Sequence, residues 1–261
     1  MSGNMFELSG KVVLVTGGNG GIGYGMAEAL AKAGADVAIW GTNPDKTAAA
    51  TEKLKALGGK AAGFVCNVAD QADVDAKMDA TLAEFGRLDG CIANAGVSGR
   101  GARSFLEIDH AEWRRVLDVN LDGVFFTYQA ALRHMVARSE AGDPGGRLAC
   151  VSSLASVSGA ARSEHYAASK GALNSMTYGL AVEFAKHGIT ANAILPGWIA
   201  TDMTENAIGN PKFAQNVGAR IPTRRWGEPA DFGGVAVYLM SDASVYHTGQ
   251  LLQVDGGYFR F

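Results

Sequence analysis

The sequence predicts an α/β protein: a doubly wound, mostly parallel, seven-stranded sheet with helices on both faces. Three observations carry that expectation. Short apolar runs rich in branched residues alternate along the chain with amphipathic helical periods. The runs are nearly continuously hydrophobic, as strands covered on both faces are. The helical periods between them supply the right-handed crossovers that parallel strands require.

Val12–Thr16 (VVLVT) is the first expected strand. Ile22, Met26, Ala29, Leu30 and Ala33 then fall on one apolar stripe at helical spacing, closed by Gly34 in a C′-like position. Further strands are expected at Val37–Trp40, Ala61–Val65, Leu88–Ala93, Arg147–Ser152, Thr190–Leu195 and Leu251–Val254. Helices are expected at Pro44–Leu57, Gln71–Phe85, Asp109–Arg138, Tyr166–Lys186 and Pro229–Met240. No repeat or long linker divides the chain, so residues 1–261 read as a single domain. In such sheets ligands bind beyond the carboxyl ends of the strands.

Composition narrows the function. Glycine supplies 35 of 261 residues, but without a three-residue period and with only 6 prolines, which excludes collagen. A hydrophobic share of 48% with a net charge of −3 excludes a disordered chain. The same charge leaves no basic footprint for nucleic acid or an anionic membrane. No run approaches the roughly 18 apolar residues of a membrane span. Met1–Lys11 lacks the apolar core of a signal peptide, so a cytoplasmic location is expected. Cys66, Cys91 and Cys150 lie far apart in apolar segments and read as small buried hydrophobes. His110, His134, His187 and His247 show no ligand spacing, and no metal is expected.

Residues 16–23 read Thr-Gly-Gly-Asn-Gly-Gly-Ile-Gly, between the first strand and the first helix. Glycine permits the tight turn and a close approach by a pyrophosphate, while the helix N-terminus offers free N–H groups and partial positive charge. No Gly-Lys-Ser/Thr follows, so this is not the phosphate loop of an NTPase. Tyr166-Ala-Ala-Ser-Lys170 places a phenol and an ammonium on one helix face, and Ser153 lies 13 residues before the tyrosine. Such a set suits carbonyl reduction. Hydride delivery puts negative charge on oxygen, which must be protonated as it forms. A tyrosine with a pKa near 10 shuttles that proton poorly unless a cation lowers the value.

Taken in order, these motifs resemble the short-chain dehydrogenase/reductase family. The resemblance runs from Gly10-Lys11 to Asp255-Gly256-Gly257 and rests on Gly17, Gly21 and Gly23, on Asn94-Ala95-Gly96, on Asn120-Leu121-Asp122-Gly123, on Ser153, Tyr166 and Lys170, and on Pro196-Gly197. It implies a Rossmann-type fold and hydride transfer between NAD(P)(H) and a secondary alcohol or ketone. By that resemblance Tyr166 is the acid/base, Lys170 lowers its pKa and bonds the nicotinamide ribose, Ser153 orients the substrate oxygen, and Asn120 holds a relay water. Ser152 is the rival serine, one residue too far from Tyr166. The implied coenzyme site comprises Gly17, Asn19, Gly20, Gly21, Ile22, Gly23, Thr42, Asn43, Asn67, Val68, Asn94, Ala95, Gly96, Tyr166, Lys170, Pro196, Gly197, Ile199 and Thr201, with a mobile lid over about residues 199–220. A homotetramer is implied as well. In it the Asp109 and Tyr166 helices pair across one interface and the Gln250–Phe261 region across another. The aromatic tail Tyr258-Phe259-Arg260-Phe261 is expected to be buried against a neighbouring subunit or the substrate cleft.

Leu154, His165 and Trp198 are candidate substrate contacts. Arg100 and Arg103, in the glycine-rich segment Ser98–Ser104, either recognise an acid or belong to a solvated loop. At the end of the second strand an acid would bond the ribose 2′-OH and repel a 2′-phosphate, but position 41 is glycine. Thr42 and Gly20 stand where NADP-preferring relatives carry a cation. Thr42, Asn43 and Asn19 leave only neutral donors, so NADP is preferred modestly and NAD is usable. Asn67 can accept a bond from the adenine amine. Two alternatives are a 3-oxoacyl-acyl-carrier reductase using Arg220, Arg224 and Arg225 as a basic surface, and a catalytically silent dinucleotide-binding regulator. The presence of both Tyr166 and Lys170 speaks against the regulator. The expected partner is a small-molecule substrate.

Overall fold

A computed structural model describes residues 4–260. Its strands are β1 (Val12–Thr16), β2 (Asp36–Gly41), β3 (Ala61–Val65), β4 (Gly90–Ala93), β5 (Gly146–Val151), β6 (Ile189–Pro196) and β7 (Leu251–Val254). They form one sheet in the order β3-β2-β1-β4-β5-β6-β7. Every neighbouring pair is parallel, so the expected mostly parallel sheet is wholly parallel. Strand order reverses between β1 and β4, where Val15 lies between Ile39 and Ile92. A crevice opens at the carboxyl ends there, the usual ligand position in such sheets.

The helices are α1 (Gly21–Lys32), α2 (Pro44–Lys55), α3 (Gln71–Phe85), α4 (His110–Leu117), α5 (Gly123–Glu140), α6 (Ala155–Ser158), α7 (Glu164–Glu183), α8 (Glu205–Ile208), α9 (Pro211–Arg220) and α10 (Gly233–Met240). Period-2 alternation divides the strands between two apolar layers. Val12 and Leu14 pack with Trp40, Tyr128, Met135, Leu148 and Leu173 on one face. Val13 and Val15 pack with Met26, Leu30, Ile39, Phe232 and Leu239 on the other. Within these layers the Trp40 indole donates to Thr81 Oγ1 at 3.1 Å, whereas the buried Tyr128 hydroxyl has no hydrogen-bond partner. The three cysteines are free and buried. Among the described residues, no helix is long and apolar enough to cross a membrane.

Helix starts follow local chemistry. Asn43, Asp70 and Asp109 cap α2, α3 and α4, each accepting from a backbone N–H in the first turn. Asn210 is the N-cap of α9 and Pro211 its first residue. Several expected boundaries shift. The strand expected from Leu88 starts at Gly90, because Leu88 N–H donates to His134 Nε2 and the Asp89 carboxylate accepts from Val12 N–H. The helix expected from Pro229 is 3₁₀ until Phe232, and the one expected to reach Lys186 ends at Glu183 before a 3₁₀ turn.

The larger correction lies in the span 109–138, expected as one helix. It is broken by a π-turn at Asp118–Asp122 between α4 and α5. Arg114 bridges Asp118 and Asp122 across the wider turn, and Asn120 inside it is fully buried.

Candidate active site

The site is assembled at the carboxyl ends of β1, β2, β4, β5 and β6. After β1 the backbone turns through Gly17 at φ +64° and Gly21 at φ +50°, a region costly for residues bearing a Cβ. A Cβ at Gly23 would collide with Gly17 O and Asn94 Nδ2. Asn94 clamps this turn from β4: Nδ2 donates to Thr16 O at 2.9 Å and Gly17 O at 3.3 Å. Thr16 Oγ1 accepts from the N–H groups of Asn94 and Ala95, each at 3.0 Å. The N-cap of α1 is Gly20, with no side-chain cap and no acid in the first turn. Its free N–H groups and positive end therefore face the crevice, and space beside Gly20 is open. Thr201 lies over Gly21, its Cγ2 3.4 Å from where a Cβ would stand. This cradle fits a pyrophosphate.

At the end of β2, Gly41 is buried beneath Asn19, whose Nδ2 donates to Thr47 Oγ1 at 2.9 Å. A Cβ at position 41 would strike the Asn19 amide, so a side chain there requires Asn19 to move. Thr42 and Asn43 are exposed, with Asn43 Oδ1 already accepting from Lys46 N–H. Asn67 is also exposed; its Oδ1 accepts from Ala69 N–H at 3.2 Å and keeps one lone pair. Val68 is buried against Gly123.

Tyr166 and Lys170 lie one turn apart on α7, with Nζ 5.8 Å from the phenol ring centre. Lys170 is buried and donates to Val151 O at 2.7 Å, leaving two N–H groups uncommitted. Burial lowers its pKa to about 8. Tyr166 does not show the lowered value expected beside a cation. Burial of part of the phenol raises its pKa, and the neighbouring Ser153 hydroxyl offsets some of that rise.

The two serines differ in burial. Ser152 is buried and donates to Lys170 O at 2.9 Å, whereas Ser153 is half-exposed beside the phenol. Asn120 Oδ1 accepts from Val97 N–H at 2.8 Å, while Nδ2 donates to Val97 O at 3.0 Å and Ser169 Oγ at 3.2 Å. One Oδ1 lone pair remains, and it borders Gly96 together with Lys170 Nζ.

The substrate candidates fare differently. His165 was expected to look into substrate space, but it is buried under the Ser98–Arg100 segment, its ring tight against Gly99. Its Nε2 lies 3.5 Å from Glu112 Oε1. That carboxylate also accepts from Arg115 and from Arg100 N–H, which with the nearby His165 hold its pKa down to about 2. Trp198 packs edge-on against Phe213 of α9 at 5.1 Å and against Trp226 at 5.6 Å, which ties it to the 199–220 segment. Leu154 is buried after β5, with Ile199 and Pro196 buried around β6 and Gly197 half-buried. Arg100 and Arg103 are exposed on their loop. Sequence reasoning missed the clamping role of Thr16, the Ser169 link from Asn120 to Tyr166 O, and an ion pair between Lys46 and Asp202. Thr16 could have been found from its place before the glycines. The ion pair spans 156 positions and leaves no local signal.

A dinucleotide cradle beside a Ser-Tyr-Lys-Asn cluster defines a nicotinamide-dependent oxidoreductase. A family model described as enoyl-(acyl carrier protein) reductase matches residues 17–259. The chain is 37% identical over 254 residues to 5-keto-D-gluconate 5-reductase of Escherichia coli strain K12, covering 97% of each chain. A short-chain type dehydrogenase/reductase from Mycobacterium marinum superposes with a TM-score of 0.90 at 34% identity, covering 97% of both chains. Gluconate 5-dehydrogenase from Burkholderia cenocepacia J2315, in complex with NADP and tartrate, superposes with a TM-score of 0.92 at 35% identity over 98% of both. The chain belongs to the short-chain dehydrogenase/reductase family.

Proposed function

We propose that this protein is an NADP(H)-preferring dehydrogenase that interconverts a secondary hydroxyl and a ketone on a small polyhydroxy acid, with NAD(H) as a weaker coenzyme. The convergence of Ser153, Tyr166 and Lys170 next to the glycine cradle carries the reaction class. NADP(H), when bound, supplies or accepts the hydride. Tyr166 gives the proton to the nascent alkoxide or takes it from the alcohol, and Ser153 bonds the same oxygen. The Lys170 ammonium stabilises the phenolate, and its free N–H groups suit ribose hydroxyls. The remaining Asn120 lone pair accepts from a water next to Lys170.

Gly41 under Asn19 supports the coenzyme preference, because no carboxylate opposes a 2′-phosphate there. The substrate class draws on the gluconate-directed relatives and on the tartrate in the Burkholderia structure. Arg103, exposed on the loop after β4, supplies a cation for a carboxylate, whereas Arg100 is paired with Glu112. The acyl-carrier alternative is not favoured. Arg225 is paired with Asp231, Arg220 stacks on Tyr258, and Arg224 donates to Ala219 O, so these cations are engaged within the chain.

Residues 1–261 act as one domain, with 199–220 as a mobile lid, in a cytoplasmic homotetramer. Exposed apolar side chains support the assembly: Phe125 on α5, Tyr178 and Val182 on α7, and Val245 and Tyr246 before β7. A panel of sugar acids, polyols and acyl thioesters, followed by nicotinamide absorbance with each coenzyme, tests this reading. Turnover of a keto- or hydroxy-sugar acid is expected, with kcat/KM for NADP at least about tenfold above NAD. Turnover confined to acyl thioesters would overturn it.

A further inference from the structure

We propose that Lys46 reads the 2′-phosphate of the coenzyme and that Asp202 relays its capture to the lid. The proposal rests on the NADP(H) reading and adds to it the residue that enforces the preference. In sheets of this kind the ribose 2′ position lies beyond the end of the second strand. Here that end is Gly41, backed by the neutral Asn19, with Thr42 and Asn43 following. None of these bears a charge. Lys46, in the first turn of α2, is the cation nearest in sequence, and its side chain leaves α2 to reach across the crevice.

Lys46 Nζ donates to Asp202 Oδ2 at 2.9 Å. Asp202 opens the 3₁₀ turn Asp202–Thr204 at the start of the 199–220 segment, directly after Thr201, which lies over Gly21 of the glycine turn. The pair thus ties the β2–α2 side of the dinucleotide crevice to the lid side. Its side chains are 62% and 89% exposed, so the bond is weak and exchanges easily. A phosphate dianion offers the ammonium a stronger charge-assisted partner than one solvated carboxylate does. Capture of Lys46 by the phosphate releases Asp202 from α2 and loosens the tie between the two sides of the crevice, while the turn itself keeps its Thr201–Thr204 bonds. A coenzyme lacking the phosphate leaves the tie in place.

Fluorescence titration of NADPH and NADH onto the wild type, Lys46→Gln and Asp202→Asn measures the first half. Lys46→Gln is expected to weaken NADPH by about tenfold while NADH changes by less than about twofold. Asp202→Asn, which removes the competing carboxylate, is expected to tighten NADPH and leave NADH unchanged. Tryptic cleavage at Lys212 and Arg220 of the wild type, without coenzyme, measures the second half. Adenosine 2′,5′-bisphosphate should accelerate it, 5′-AMP should not, and Asp202→Asn should be cleaved rapidly with neither. Equal loss of both coenzymes in Lys46→Gln, or an undiminished NADPH preference in that variant, would overturn the inference and leave the coenzyme reading standing. Tighter binding of NADH than NADPH by the wild type would overturn both.

Discussion

Lys170 shows at a single residue how function opposes stability in this site. Its ammonium is buried with one main-chain acceptor, and burial moves its pKa from 10.5 to about 8. Below pH 8 the folded and unfolded chains both carry the charge, and the desolvation penalty is fully present. Between about 8 and 10.5 the folded state has released a proton that the unfolded chain still holds, so stability rises with pH there. The shift corresponds to a penalty of about 3 kcal/mol. Lys170→Met is therefore expected to melt above the wild type at pH 7, with the gap narrowing toward pH 10 in thermal melts, while turnover is lost. Tyr166→Phe keeps the ring and removes only the hydroxyl. Turnover should fall by about a thousandfold or more, with coenzyme affinity within a few-fold by fluorescence titration. Near-normal turnover in that variant would remove Tyr166 from the acid/base role.

At the scale of elements, the site depends on two joints between segments far apart in sequence. The first is the π-turn. The apolar period of 109–138 continues through Asn120, so the sequence reads as one helix. The break is tied to a carboxamide that bonds both main-chain groups of Val97, 23 positions away. Asn120→Ala should strand those groups and destabilise the fold by about 2–4 kcal/mol in urea unfolding, with loss of turnover. The second joint is Asn19 over Gly41. Because a Cβ at 41 strikes the Asn19 amide, Gly41→Asp alone should weaken binding of both coenzymes. Gly41→Asp combined with Asn19→Gly makes room for the acid. The double variant should move the ratio of kcat/KM for NAD over NADP upward by at least about tenfold in steady-state assays. The absence of an acid at 41 was legible in the sequence. That a side chain at 41 would displace Asn19 was not.

At the scale of the whole molecule, the faces left open by this chain set the expectation for assembly. Val182 is 82% exposed and Tyr246 fully so, which is unusual for large apolar groups unless a partner covers them. Light scattering at micromolar concentration should give about four times the chain mass of 27.1 kDa. Val182→Glu should reduce that mass without altering the far-ultraviolet spectrum. The C-terminal tail, expected against a neighbouring subunit or the substrate cleft, packs in part within its own chain. Tyr258 and Phe259 are half-buried against the core, and the Arg220 guanidinium lies 4.4 Å from the Tyr258 ring centre and donates to its hydroxyl. Phe261 lies outside the described residues.

Sequence alone determined the order of strands and helices along the chain, the doubly wound class and the glycine turn, and its resemblance singled out Ser153, Tyr166 and Lys170. The strands, helices and glycine turn are written in local periodicity or short spacing, where neighbours along the chain are neighbours in space. Tertiary structure alone decided which serine is buried, where His165 and Trp198 point, what a side chain at 41 would displace, and how Lys46 meets Asp202. Those outcomes depend on burial and on contacts between segments tens to more than a hundred positions apart. Side-chain environment of that kind comes into being only when the sheet closes and both faces are covered.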